Sequence, residues 1–314
     1  MDRKVVLILF LLLMAELGFS QNSVLKFTDY TVARPLINPA AMGLESGANG
    51  LILYRSRFEK AEYWPSTGAF NINSLLENKN LGGGLTVIFD KYGPYQKMLA
   101  YLAGSYRLKV NENKWLYFGL QAGINYVTNS GNYRLHDEET VFSDNYSQPN
   151  FGFGLHFKAE NYYVGVSVPE LRYNTIDENG DRVSEMISEM MKIYLYGGFT
   201  FKIAQNTALI PYLNLTYCEY EDMQLDLGAK LRLKEAFEFG VQYRTKESFA
   251  ASVRVKLLDE LWLGYSFEGS NSSVDNKFNS TQEIGLTFHF GKKGKKSSSS
   301  EERMDDNINS IRYF

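Results

Sequence analysis

The stretch from Leu225 to Leu257 runs LDLGAKLRL, KEA, FEFGVQYR, TKE and SFAASVRVKL, and its period of two decides the fold. Leu225, Leu227, Leu231 and Leu233 alternate with Asp226, Gly228, Lys230 and Arg232, while Phe237, Phe239, Val241 and Tyr243 alternate with Glu238, Gly240, Gln242 and Arg244. Phe249, Ala251, Val253, Val255 and Leu257 repeat the pattern against Ala250, Ser252, Arg254 and Lys256. Side chains along an extended strand point alternately to opposite faces, so each segment has one apolar and one charged face. The central core strands of a soluble sandwich would carry fewer charges on the second face.

The alternation extends from Asn49 to Phe290. Strands are predicted at 48–58, 66–75, 82–90, 97–108, 115–127, 150–158, 161–168, 193–203, 208–219, 223–233, 237–245, 248–257, 260–268 and 281–290. That makes about fourteen, an even number, each near the roughly nine to eleven residues of a tilted membrane strand. Every second connection is short: 77–80, 110–113, 160–161, 204–206, 234–235 and 258–259. The connections between them include the long ones, Thr128 to Pro149, Pro169 to Lys192 and Gly269 to Thr281. Outer-membrane barrels sort their connections this way, with tight turns on the periplasmic rim and longer loops outside. The expected fold is therefore all-β, a transmembrane outer-membrane antiparallel β-barrel of about 14 strands across 48–290. The phase of the loops puts both termini in the periplasm, with 21–47 as a periplasmic N-terminal segment and 291–314 as a charged tail.

Composition agrees: 15% of residues are aromatic, including 22 Tyr and 21 Phe, and 26 Gly stand against 7 Pro, which favours strands and turns. The one long apolar run, Val5 to Met14, is about half the roughly twenty residues that a membrane-spanning helix needs, which excludes a helical transporter. Met1 to Ser20 reads as a signal peptide, with Arg3 and Lys4 before the apolar run and Gly18 and Ser20 before the cut. Glu16 interrupts any longer anchor. The mature chain then begins at Gln21, and no cysteine follows the cut to carry a lipid. Cys218 is the only cysteine, so no internal disulfide forms, and a net charge of -3 gives no reason to expect a nucleic-acid partner.

A search for chemistry returns little. His136, His156 and His289 are scattered without zinc-ligand spacing or a catalytic grouping. Gly82-Gly83-Gly84 precedes a strand, not the helix that a phosphate cradle requires. Asp137, Glu138, Glu139 and Asp144 lack calcium-loop spacing and read as a solvated loop. No enzyme activity, metal or cofactor is expected. Glu283, Gly285, Phe288 and Phe290 form the polar-x-Gly-x-x-aromatic-x-aromatic arrangement that resembles a barrel-assembly signal. Trp115, Tyr117, Tyr162, Tyr163 and Trp262 suit an aromatic girdle at the membrane interfaces. The tail opens with Lys292, Lys293, Lys295 and Lys296, turns acidic at Glu301, Glu302, Asp305 and Asp306, and ends in Ile311, Tyr313 and Phe314, a solvated extension or a docking peptide.

Several blocks together resemble the PorP/SprF family of type IX secretion system membrane proteins of gliding and secreting Bacteroidetes. Pro35-Leu36-Ile37-Asn38-Pro39-Ala40 with Gly43 is similar to the family's opening motif, and Leu53-Tyr54-Arg55-Ser56 to its first strand. Leu85 to Pro94, ending Asp90-Lys91-Tyr92-Gly93-Pro94, resembles its strand and turn. Phe118 to Gly123, and Pro149 to Gly154 with Val164 to Pro169, resemble later strands. Arg57-Phe58 and the segment Pro65-Ser66-Thr67 depart from the pattern.

What the resemblance implies is a non-enzymatic barrel in outer-membrane lipid that works with type IX secretion components and helps particular cargo, such as gliding adhesins, reach or remain at the surface. Asn38, Pro39, Gly43, Tyr54, Arg55, Asp90, Gly93 and Pro94 are its candidate partner-binding or motif residues. The alternative is a diffusion porin or hydrophobic-solute channel. Against it, the inward charges Asp226, Lys230, Arg232, Glu238, Arg244 and Arg254 could pair and close the lumen.

Overall fold

The computed structural model describes residues 26–58, 65–135, 138–171, 173–176, 182–185, 191–218, 221–245, 248–271 and 278–290. The signal peptide, His136, Asp137 and the tail 291–314 lie outside the described residues. Strands in chain order are β1 (Gly47–Phe58), β2 (Ser66–Leu76), β3 (Leu81–Tyr92), β4 (Tyr95–Asn111), β5 (Lys114–Leu135), β6 (Glu138–Lys158), β7 (Tyr162–Val168), β8 (Tyr173–Ile176) and β9 (Arg182–Glu185). They continue as β10 (Ile193–Phe199), β11 (Phe201–Ala204), β12 (Thr207–Cys218), β13 (Glu221–Leu233), β14 (Phe237–Arg244), β15 (Ser248–Leu258), β16 (Leu261–Asn271) and β17 (Phe278–Phe290).

Neighbours in sequence are neighbours in the sheet, and two seams close it. β1 pairs antiparallel with β17, from Ala48 opposite Phe290 to Phe58 opposite Ser280. β10 pairs with both β7 and β12, and β11 continues it along β12 after a break at Thr200. With β8 and β9 set apart as their own hairpin, the result is a closed antiparallel barrel of 14 strands. Closure leaves no sheet edge to meet lipid, which is why a β-structure survives in a bilayer at all. Among the described residues no helix is long and apolar enough to cross a membrane.

The faces are assigned by exposure. In β14, Phe239 and Val241 are 47% and 64% exposed on the outside, whereas Glu238 and Gln242 are 1% and 6% exposed inside. Apolar groups face lipid and charges face the lumen. The same parity corrects part of the expected girdle. Tyr162 stands outside, stacked parallel to Phe199, but Tyr117 and Tyr163 point inward to His156, and Trp262 lies inside under Arg254. Trp115 packs against an internal cluster with Ala40 and Tyr117. Phe201, Phe237 and Phe290, near the short-turn ends of their strands, are exposed aromatics on the outside.

Two further departures from the sequence reading have physical causes. β5 and β6 run on through most of Thr128 to Pro149 as one paired hairpin, with Asn129 opposite Asp144 and Leu135 opposite Glu138. Beyond the membrane neither face needs to be apolar, so the hairpin satisfies its own backbone without leaving an alternating signal. The N-terminal segment also differs. Its described part, 26–46, lies within the barrel instead of standing apart from it, because Phe27, Tyr30, Ala33, Leu36 and Ile37 pack into one core with Leu51, Leu53, Ile88 and Leu99 on the wall. Its apolar residues thus find an interior to be buried in.

The face assignment makes a prediction. Val253→Arg would place a cation in the lipid and is expected to cost about 2–4 kcal/mol near the midplane, whereas Ser252→Arg points into the lumen and should cost much less. Comparing the unfolding free energies of the two variants in lipid vesicles checks it; equal losses would invert the assigned faces.

Candidate functional site

The strap formed by residues 27–44 fills the lumen, so it defines the site. Asp226, Arg244 and Glu268 each stand seven residues along their strands from the short-turn ends at Leu233, Phe237 and Leu261. Phe27 begins at that level, where its carbonyl oxygen accepts from Arg244 Nη2 at 2.7 Å. The strap then descends toward the short turns and joins β1 at Gly47.

Its upper part is held by charge. Thr28 N and Asp29 N donate to the Glu283 carboxylate at 2.8 and 3.3 Å, and Thr28 Oγ1 donates to Glu268 Oε2 at 3.1 Å. Lys230 Nζ donates to Asp29 Oδ2 at 2.6 Å and also to Thr31 Oγ1. Burial pushes the Asp29 carboxyl up, but the ammonium of Lys230 outweighs it and holds the group below its ordinary range. Behind the strap the wall charges form their own network: Arg244 bridges Asp226 and Glu268, both at 2.6 Å, and Arg232 and Arg254 meet Glu238 at 2.7 and 3.0 Å. The inward charges do pair, and they pair along one wall with the strap laid over them.

Its lower part is held by shape. A helical turn, α1 (Arg34–Ile37), is followed by a 3-10 turn at Pro39–Ala41. Asn38 caps that turn, its Oδ1 accepting from Ala40 N at 2.8 Å, while its Nδ2 donates to Leu155 O at 3.1 Å and to Tyr196 OH at 2.9 Å. The barrel gives way where the strap passes. A Cβ on Gly119 would lie 2.0 Å from Ala40 N, one on Gly154 2.0 Å from Asn38 Oδ1, and one on Gly82 2.2 Å from Met42 O. Gly43, at φ +69°, turns the chain out of this track, with its N–H donating to Asn73 Oδ1 at 3.0 Å. From the other end the chain after β7 folds inward, where Glu170 Oε2 accepts from Lys97 Nζ and Asn125 Nδ2, both at 2.8 Å.

Asn38, Pro39, Gly43 and Arg55 therefore all lie in the lumen, the first three in the lower part of the strap and Arg55 on the wall beside its upper part. Arg55 Nη2 donates to Glu268 Oε2 at 3.3 Å. The other motif residues are dispersed. Tyr54 faces outward at 51% exposure; Asp90 accepts from Thr67 Oγ1 at 2.6 Å; Gly93, at φ +59°, and Pro94 form the turn between β3 and β4. Of the terminal-strand residues, Glu283 turns inward to hold the strap, Phe288 covers Gly50, and Phe290 lies exposed at the rim, 5.7 Å from the Phe288 ring. Thr28, Asp29, Met42 and Glu170 were not among the sequence candidates; inward glycines at alternate positions, as at Gly82 and Gly84, were the available sign that something lies against the wall.

Reactive groupings are few. His156 sits among Tyr117, Tyr163 and Tyr196, with Nδ1 3.0 Å from Tyr196 OH. His289 Nδ1 meets Asn49 Oδ1 at 2.5 Å and lies 3.6 Å from Glu45. Among the described residues no group of three or more His, Cys, Asp or Glu is placed to hold a metal ion.

Comparison with known proteins follows this geometry. The profile of a family described as type IX secretion system membrane protein PorP/SprF matches residues 19–288. No curated protein matches the sequence. Among solved structures, the toluene transporter TbuX of Ralstonia pickettii is similar at TM-score 0.51 and 8% identity, over 82% of this chain and 94% of that one. The monoaromatic hydrocarbon channel CymD is similar at TM-score 0.50 and 13% identity, over 83% and 93% of the two chains. A TodX monoaromatic hydrocarbon channel mutant gives TM-score 0.51 and 10% identity, over 84% and 95%. At these identities the likeness is one of barrel fold.

Proposed function

The chain belongs to the PorP/SprF family of type IX secretion system membrane proteins, and from that premise we propose that it is an accessory barrel of the outer membrane that supports secretion or surface attachment of particular cargo, gliding adhesins among them. The observation that carries this reading is the filled lumen. A strap buried at most positions from Phe27 to Leu44, and Glu170 tucked in from the opposite end, support a barrel that offers surfaces and not a passage. In this reading the short turns face the periplasm, where secretion components meet the barrel, and the long β5–β6 hairpin faces outside, where cargo is displayed.

Deleting the gene is expected to abolish surface display of a limited set of type IX cargo while other cargo and the general translocon persist. Surface proteomics of intact cells reads this directly, and a tag at Asn145 should be labelled on the same cells. The channel reading draws on the hydrocarbon channels that share the fold. Normal display of every surface protein together with impaired uptake of a solute would replace the secretion assignment with that one.

A further inference from the structure

The lumen is not filled to the rim. At the short-turn end, between the strap and the wall, lies a cavity of about 240 Å³. Its apolar lining comes from Val32 and Pro35 of the strap and from Leu51 and Trp262 of the barrel. Around these stand four carboxylates, Glu45, Glu235, Asp259 and Glu260, against the two cations Arg232 and Lys256. Both cations already have acidic neighbours: Arg232 meets Glu238 at 2.7 Å and Lys256 meets Asp259 at 3.4 Å. Carboxylates outnumber cations over a floor that holds the Trp262 ring.

We propose that this cavity is a peptide-docking site, which takes one aromatic side chain from an extended segment of a partner protein whose flanking residues are lysine or arginine. Size selects the anchor. Pockets for whole drug-sized ligands run to about 300–1,000 Å³, so this space fits one large side chain better than a free solute. Aromatic side chains in desolvated pockets are the usual anchors of protein interfaces, and Trp262 supplies an inward-facing ring to receive one. Charge selects the flanks. An excess of carboxylate on the turns attracts cationic residues and repels acidic ones, and turn residues lie outside the lipid where such steering acts.

Position selects the partner's side. With the strap across the lumen, the cavity is reached from the short-turn end, which the secretion reading places in the periplasm; the inference rests on that reading for where the partner comes from. Because Thr31, Val32 and Pro35 form one wall, the site exists only while the strap is seated. Docking would therefore report that the barrel is folded and closed.

The test uses the purified full chain in phospholipid nanodiscs, with Trp64→Phe and Trp115→Phe leaving Trp262 as the sole tryptophan of the three in the sequence. Acetyl-Lys-Phe-Lys-amide is expected to change Trp262 emission saturably. The apparent dissociation constant should rise about fivefold when Glu235→Gln and Glu260→Gln are combined, and again with added salt. Heat-modifiable mobility verifies that each variant is folded. The proposal is overturned by the absence of a saturable response or by an equal response to acetyl-Glu-Phe-Glu-amide. It is also overturned if toluene alone gives the saturable response, or if a response appears only after residues 291–314 are removed, which would make the chain's own lysine-rich end the occupant. The titration is made on the isolated barrel, so its failure leaves the deletion phenotype to decide the secretion reading separately.

Discussion

Arg244→Leu is expected to destabilise the barrel by about 3–5 kcal/mol, the cost of leaving a buried ion network without one partner. The guanidinium is 1% exposed and donates in three directions: to Asp226 Oδ1 at 2.6 Å, to Glu268 Oε1 at 2.6 Å and to the strap at Phe27 O, 2.7 Å away. Removing it leaves two carboxylates inside the barrel. Asp226 keeps only the amides of Asn214 and Gln224 among the donors described, and these do not neutralise a charge, whereas Glu268 keeps the Arg55 guanidinium at 3.3 Å and the Ser248 hydroxyl. Arg244→Lys should fall between, since an ammonium restores the charge but not a planar fork aimed at three acceptors. Adding Asp226→Leu to Arg244→Leu should recover much of the loss, because it removes the carboxylate left without a cation while Glu268 stays paired with Arg55. Unfolding free energies in lipid vesicles measure the series. A loss below about 1 kcal/mol for Arg244→Leu would mean that water reaches these groups and screens them.

How much of this was legible in the sequence depends on which force placed each residue. Lipid imposes an alternation that nothing else explains, so the strands around Leu225 to Leu257 and the short turns at 234–235 and 258–259 are readable residue by residue. The inward direction of Arg244 and Glu238 follows from the same parity. What they touch does not. Asp29 and Lys230 are 201 residues apart, and no local period reports a contact between a strand and a strap that crosses the lumen. The strap itself looks like an ordinary polar lead into β1, since Thr28, Asp29, Thr31 and Asn38 disguise a segment that is buried at most of its positions. Trp115, Tyr117, Tyr163 and Trp262 misled for the opposite reason. Aromatic residues near strand ends suit both a lipid interface and a packed interior, and only their parity separates the two. Asn38 and Gly43 were recognisable by residue type as turn formers, whereas their seating against Gly154 and Asn73 depends on closure of the barrel.

The glycines that line the strap's path give the second large effect. Gly119→Ala is expected to cost about 1–3 kcal/mol or more, as overpacking does when no side chain can move aside. The added methyl would lie 2.0 Å from Ala40 N and 2.4 Å from Ala40 Cα, both backbone atoms of a turn fixed by Asn38 and Pro39. Relief needs the whole turn to shift, which breaks the Asn38 bonds to Leu155 O and Tyr196 OH. Gly83→Ala is the matched control. It lies on the wall of β3 with only Ala103 O within 4 Å of the new carbon, at 3.8 Å, so it adds the same methyl without touching the strap. Helix and strand propensities favour alanine over glycine in both positions, so intrinsic preference cannot produce a difference between them. Two measurements separate strap displacement from general weakening of the barrel. Unfolding free energy should fall for Gly119→Ala and hold for Gly83→Ala, and planar-bilayer recordings should show steady current through the Gly119 variant where the parent and the control are silent. If Gly119→Ala is as stable and as silent as the control, the turn at Pro39–Ala41 yields without cost, and the glycine track is not what seats the strap.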